Sequence, residues 1–381
     1  MGDIQEKFSK KFSGYPKVYR SPARINIIGE HVDYLGGLVL PAAIQFSTDL
    51  AMLPNSSNRY RIYSVHYDSL VEVETLSKQS DQKWANYILG VIDELKKEGY
   101  IFGGFDLVVD GNIPQGSGLS SSASLEVGVC FAISDCFKLG IPREKIAVIG
   151  QRAENNFVGT KCGIMDQFII SVGKQDMCIL LDTETLSYSY TQLDMEGYEF
   201  YLVNSHVKHS LETSAYNQRR AECESAFRKL QTHFKNVKNL YSINQNEINF
   251  LDFQFTAEEH KRLKHVFGEK DRTREIIKAF SEKRMVDAAG ILSRTHDSLS
   301  QLFEVSCEEI DFLQSTLLSL GVLGARMIGG GFGGCILVLD SINNRNSIEE
   351  NVKKKYYEKY KIETEFYSFT ISDGVNSVNK I

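Results

Sequence analysis

Residues 111–126 read GNIPQGSGLSSSASLE, and they decide what kind of fold the chain can have. Gly116 and Gly118 sit among small residues, and Ser117, Ser120, Ser121, Ser122 and Ser124 run on into an apolar helical pattern over 120–138. Backbone N–H groups at a helix N-terminus, with the helix dipole behind them, bind phosphate well. Glycines let the backbone come close to the anion. A flexible Gly/Ser linker is the bland alternative, but a linker would not continue as a buried helix. No GxxxxGK[ST] follows, and the third glycine of GxGxxG is missing. The segment therefore predicts an anion-binding loop that is neither a P-loop nor a dinucleotide fingerprint. Ser122 with a carboxylate would suit Mg²⁺, which prefers oxygen ligands. Glu154 is a candidate, one residue round from the stripe Ile146, Ile149, Ala153 and Phe157. Taken alone it reads as a solvated surface glutamate.

Upstream, residues 21–37 read SPARINIIGEHVDYLGG. Arg24, Asn26, Glu30, His31 and Asp33 are set among Ile25, Ile27 and Ile28, with Gly29 and the Gly36–Gly37 pair around the polar cluster. A turn with two carboxylates and an imidazole can hydrogen-bond several hydroxyls of one polyol. Buried polar sites discriminate because a wrong ligand leaves them unpaired. A hairpin with its charges in water is the competing reading. Downstream, residues 324–335 read GARMIGGGFGGC before the apolar run CILVL. Alone it could be a hairpin turn. Beside a first glycine loop it suggests a closing wall of a nucleotide site.

The remaining pattern is α+β. Residues 38–53 and 59–74 read as strands with 54–58 as a turn, and 105–110, 178–181, 199–203, 335–339 and 365–371 as further strands. A helix is expected over 84–98, where Trp84, Tyr87, Ile88, Val91, Ile92 and Leu95 share a face. Pro142 suits the first turn of the next helix. Residues 212–320 read as mainly helical. A length of 381 residues suggests two domains, with the boundary expected near 190–200.

Composition excludes several classes. A net charge of −6 without a basic stripe argues against nucleic acid, and Lys353–Lys355 reads as a solvated helix face. The 7 cysteines include no CxxC, against a zinc site, and their scatter suits a reducing compartment. The first residues, MGDIQEKFSKKF, lack a signal-like apolar core, and Glu6 stands where a myristoylation signal has Ser or Thr. No apolar run would span a bilayer. A cytoplasmic monomer without membrane or nucleic-acid partners is expected.

Taken together, the three segments resemble the three motifs of the GHMP small-molecule kinases, and the first resembles the galactokinase branch. WANYILGVI (84–92), AENNFVGTKCGIMDQF (153–168), NSHVKHSLETSAYNQRR (204–220) and HDSLSQLFEVSCEEID (296–311) agree with that branch as well. The resemblance implies a two-domain fold: residues 1–195 with a mixed sheet and helices, residues 196–381 with an antiparallel sheet and helices, and an active site in the cleft between them. It implies ATP-dependent phosphorylation of galactose at its anomeric hydroxyl. By the same likeness, Arg24 would sit at the transferred phosphoryl group and Asp166 would be the base. Glu30, His31, Asp33, Tyr216 and Asp166 would hold the sugar. Gly116, Ser117, Gly118, Leu119, Ser120, Ser121 and Ser122 would hold the phosphates, Ser122 and Glu154 the Mg²⁺, and Trp84 would lie near adenine. The family has Gly, Thr and Asn where this chain has Ala23, Val32 and Leu35. Those departures bear on the sugar rather than the reaction. A kinase for a related sugar (N-acetylgalactosamine, galacturonate or another hexose) and a non-catalytic sugar sensor are the alternatives.

Overall fold

A computed structural model describes residues 2–74, 79–208 and 212–378. The strands are β1 (Lys17–Asn26), β2 (Leu38–Val39), β3 (Pro41–Pro54), β4 (Tyr60–Ser64), β5 (Ser69–Val73), β6 (Phe105–Gly111), β7 (Cys178–Asp182), β8 (Tyr188–Thr191), β9 (Tyr198–Lys208), β10 (Gly324–Met327), β11 (Gly333–Ser341), β12 (Glu365–Ser368) and β13 (Asn376–Ser377). The α-helices are α1 (Gly2–Lys11), α2 (Ala85–Lys97), α3 (Ser121–Cys136), α4 (Arg143–Arg152), α5 (Met165–Val172), α6 (Glu212–Leu230), α7 (Ala257–Ser281), α8 (Met285–Ser298), α9 (Glu308–Ser319) and α10 (Arg345–Tyr360).

Six strands form one sheet in the order β13-β1-β3-β6-β4-β5. It is mixed, because β4 and β6 run parallel while the other neighbours are antiparallel. A second sheet, β10-β11-β9-β12, is wholly antiparallel. Strands β2, β7 and β8 form a third, small sheet. Helix α3 packs on β1 and β3 and is flanked by α2, α4 and α5. It buries Ala123, Val127, Val129, Cys130, Ala132 and Ile133, as expected of a helix apolar on most sides. Helices α8 and α9 pack on β10, and α7 packs on α8.

Two local features place functional side chains. The β1–β3 register shifts between Pro22 and Ala23. Pro22 lacks an N–H, so it costs nothing at a bulge, and a bulge bends a strand and re-aims the residues after it. Helix α4 does not simply continue through residue 157. It passes into a π-helical turn, Ala153–Val158, whose wider winding re-aims the side chains that follow Glu154.

The strand expected over 59–74 is instead the hairpin β4–β5 with a turn at 65–68, because His66, Tyr67 and Asp68 interrupt the β-formers. Pro142 caps α4 rather than lying in its first turn. Strands β8, β10 and β13 were not expected. They are short, and β10 is hidden in the glycine segment. No helix among the described residues is long and apolar enough to cross a membrane.

Candidate active site

A cavity of about 550 Å³ opens between the loop before α3, the turn after β1 and the segment after β10. The loop owes its shape to backbone contacts. Cys335 N–H donates to the Ser117 carbonyl at 3.1 Å, and Arg24 N–H to the Leu119 carbonyl at 3.3 Å. A Cβ on Gly329 would lie 2.7 Å from the Gly118 carbonyl. The two glycine segments thus lie backbone against backbone, and only glycine permits that approach. The GGGFGG segment braces the loop from behind, with Gly329 and Gly330 reaching the cavity wall. The Ser117 hydroxyl is spent inside the loop, donating to the Pro114 carbonyl at 2.6 Å. Ser120 has φ +62°, uncommon for a residue with a Cβ, and its hydroxyl donates to Asp166.

Behind that hydroxyl is a forked ion pair. Arg24 Nε and Nη2 donate to the two carboxylate oxygens of Asp166 at 2.7 and 2.8 Å. Arg24 Nη1 donates to the Gly118 carbonyl at 2.6 Å. Arg24 is buried, and it is placed by the β1 bulge, whereas Asp166 comes from the first turn of α5. Burial works against the Arg24 charge, but Asp166, Glu30 and Asp33 outweigh it and hold the guanidinium's pKa above its usual value.

The turn 29–33 is built largely by the second half of the chain. Glu269 of α7 accepts from the N–H groups of Gly29 and Glu30 at 2.9 and 3.2 Å. His265 Nε2 donates to the Glu30 carbonyl at 3.1 Å, which leaves Nδ1 to accept from the Ser298 hydroxyl. Burial resists the Glu269 charge, yet Arg272, His265 and Arg326 together keep its pKa below the usual glutamate value. His31 stands at φ +59° and shares a 3.1 Å hydrogen bond with the Tyr34 hydroxyl. Its ring meets Phe303 at 4.8 Å and Tyr216 at 5.3 Å. Burial pushes its pKa down to about 3, so the imidazole is neutral at physiological pH.

Asp33 is fitted just as closely. Gly163 precedes α5, and a Cβ there would overlap the Asp33 carboxylate. Met165 N–H donates to Asp33 at 3.4 Å. Burial, with Asp166 and Glu30 nearby, raises the Asp33 pKa to about 7 from an ordinary 3.8. Unfolding removes that shift. Between the two values the folded chain therefore binds more protons than the unfolded chain, and stability falls as pH rises through the window. Glu154, raised to about 7 by burial and then by Asp166, acts in the same sense. The Tm of the ligand-free protein is expected to fall from about pH 5 to about pH 8, and Asp33→Asn to make the fall shallower. Thermal melts across that range check this, and an unchanged slope in the variant would exclude Asp33 as a cause.

Glu154 is buried rather than solvated. Ala147 and Gly150 are buried on α4, and Glu154 follows them at three- and four-residue spacing on the same inward face. Gln167 Nε2 donates both to Glu154 at 2.9 Å and to Glu126 at 3.0 Å. Burial first, then Glu154, pushes the Glu126 pKa well above its usual value. Glu126 Oε1 has no partner among the described residues. Burial and mutual repulsion thus favour protons on these two carboxyls, and a divalent cation would favour their ionised forms instead. The Ser122 hydroxyl supports the ionised form of Glu154. No group of three or more His, Cys, Asp or Glu suited to a resident metal occurs among the described residues. One carboxylate and one hydroxyl fit a Mg²⁺ that arrives with phosphates and keeps several waters.

Of the residues singled out from the sequence, Arg24, Glu30, His31, Asp33, Glu154, Asp166, Tyr216, Gly116, Ser117, Gly118, Leu119, Ser120, Ser121 and Ser122 all line this cavity. Trp84 does not. It faces Tyr67, with ring centroids 5.9 Å apart, while Tyr87 one turn later reaches the wall. Val32 and Leu35 are buried in the apolar core and Ala23 is buried within β1, and none of these departures lines the cavity. Residues 209–211 of the segment before Tyr216 lie outside the described residues. Sequence reading missed Arg326, Glu269, His265, Phe303 and Gly163.

The chain as a whole is similar to known proteins. Residues 86–174 match the GHMP kinases N terminal domain and residues 276–358 the GHMP kinases C terminal domain, which defines the class as GHMP kinases. Residues 6–54 match the galactokinase galactose-binding signature. A galactokinase of Clostridium acetobutylicum is 40% identical over 99% of this chain and 98% of its own length. One from Thermotoga maritima is 40% identical over 94% of this chain and 99% of its own. The crystal structure of Lactococcus lactis galactokinase complexed with galactose superposes with a TM-score of 0.95 at 34% identity, covering 99% of both chains. A mevalonate kinase at 16% identity and a TM-score of 0.62, over 93% of this chain and 99% of its own, shares the fold alone. The chain belongs to the galactokinase family.

Proposed function

We propose that this chain transfers the terminal phosphoryl group of ATP to the anomeric C1 hydroxyl of galactose, giving galactose 1-phosphate and ADP. One observation carries the reading: a single cavity sets the serine–glycine loop and the Glu30–Asp33 turn on the same Arg24–Asp166 pair. The galactose-bound relative of near-identical fold supports the choice of sugar. Phosphoryl transfer needs positioning and charge neutralisation more than covalent chemistry.

The amides of Gly116–Ser122 and the N-terminus of α3 take the charge of the β- and γ-phosphates. Arg24 faces the charge that develops on the transferred group. Glu30, His31, Asp33 and Tyr216 grip the sugar hydroxyls. Asp166 accepts a hydrogen bond from the C1 hydroxyl and takes its proton as the new P–O bond forms and the bond to ADP breaks. Both Asp166 oxygens already accept hydrogen bonds from Arg24, so orienting the hydroxyl is a large part of its task. Ser122 and Glu154 would hold Mg²⁺, which when bound neutralises phosphate charge. Trp84 lies near adenine with Tyr87 closer to the phosphates. The two domains divide near residue 195, and in this reading the enzyme works in the cytoplasm as a monomer. A related sugar or a sensor role is not favoured, because the departures from the family pattern lie away from the cavity and Arg24, Ser122, Glu154 and Asp166 line it together.

ADP release should be measured with galactose, N-acetylgalactosamine, galacturonate, arabinose and glucose. Galactose is expected to give the highest kcat/KM, and EDTA to abolish turnover until Mg²⁺ is restored. Another preferred sugar would overturn the substrate, and sugar binding without any turnover would point to the sensor.

A further inference from the structure

We propose that Arg326 is a positioning residue for the sugar, acting through Glu30. This rests on the galactose-kinase reading above. Arg326 ends in the fully buried part of β10, 296 residues from Glu30 in sequence. All its side-chain hydrogen bonds but one reach the stretch 26–30. Nη1 donates to Glu30 Oε1 at 2.9 Å and to its neighbour's carbonyl at Met327 at 2.7 Å. Nε donates to the Ile27 carbonyl at 3.0 Å, and Nη2 to the Asn26 carbonyl. Gly329 N–H adds a second bond to Glu30 Oε1 at 3.3 Å.

The effect on Glu30 is specific. Glu30 is 2% exposed and shares the cavity with Asp33 and Asp166, so its carboxylate needs a counter-charge. Arg326 supplies it from behind and saturates one oxygen. The other oxygen, Oε2, has no donor among the described residues, and Glu30 lines the cavity. A carboxylate pinned by one oxygen can turn the other only one way. A sugar hydroxyl then meets an acceptor fixed before binding, which lowers the ordering cost of binding. A guanidinium serves here because a single planar fork reaches a carboxylate and several carbonyls at once. An ammonium keeps the charge but not the geometry.

A purely structural role is the competing account, since Arg326 also ties down three carbonyls. Steady-state kinetics on the full chain separate the two. Arg326→Lys is expected to raise the KM for galactose about tenfold or more while the KM for ATP stays within about twofold, with Arg326→Met more severe. In a Glu30→Ala background the same Arg326→Lys change is expected to alter the galactose KM less than about twofold, because its partner is gone. Equal fold-changes in both backgrounds would overturn action through Glu30. So would a lowered Tm with an unchanged galactose KM in Arg326→Lys. If Arg326→Met does not fold, the lysine variant and the double variant still decide. If the wild type does not turn over galactose, the substrate reading fails instead, and the same comparison is made on the sugar the panel selects.

Discussion

Asp166→Asn is expected to lower kcat by about 10³-fold, within the range for losing a general base, with the galactose KM nearly unchanged. The Arg24 fork and the Ser120 hydroxyl both donate to this one carboxylate. An Asn amide would place a donor N–H₂ against an Arg24 donor and would leave the C1 proton without an acceptor. Glu30, His31, Asp33 and Tyr216 would still hold the sugar, so binding should survive. Single-turnover rates and galactose titration by calorimetry check this together. Near-wild-type turnover would remove Asp166 from the mechanism, and lost binding with retained turnover at saturation would recast it as a sugar ligand.

Arg24→Met is expected to reduce kcat by about 10²–10³-fold, the scale of losing one preorganised transition-state donor. It should also lower the Tm. Removing one partner of a buried ion pair costs about 3–5 kcal/mol, and the 28% exposure of the Asp166 side chain puts this case at the low end. Arg24→Lys should recover part of the stability and little of the rate, because an ammonium cannot bond both carboxylate oxygens and the Gly118 carbonyl together. Melting curves and kcat for the two variants, side by side, test the separation. A lysine variant with wild-type kcat would show that charge alone suffices.

Much of this architecture can be read from the sequence, and the gaps have physical causes. The serine–glycine loop is legible because its function needs small residues in a row before an apolar helix. The Glu30–His31–Asp33 turn is legible because charges there break an apolar strand. Glu154 is not, because the stripe of Ile146, Ile149, Ala153 and Phe157 leaves out Ala147 and Gly150, small residues that extend the buried face round to it. The supports of the turn are harder still. Arg262, His265, Glu269 and Thr273 recur at three- and four-residue spacing on α7, all buried. That polar stripe beside Leu263, Val266 and Phe267 is a signal of inward-facing polar groups, but it names no partner. Arg326 sat in plain view in GARMIGGG, where the glycines drew attention from it. Distance in the chain hides such pairs, since no local pattern links residue 30 to residue 326.

That distance has a consequence for how the enzyme is made. A ribosome releases the Glu30 turn long before it reaches the codons for His265, Glu269 and Arg326. At about 5–20 residues per second, some 15–60 seconds separate Glu30 from its counter-ion. Until then Glu30 lacks the guanidinium and the Gly329 N–H that hold its carboxylate, so a nascent chain should keep that turn open to water. Competence to bind sugar arrives late in translation, as the second half docks and closes the acid cluster behind it.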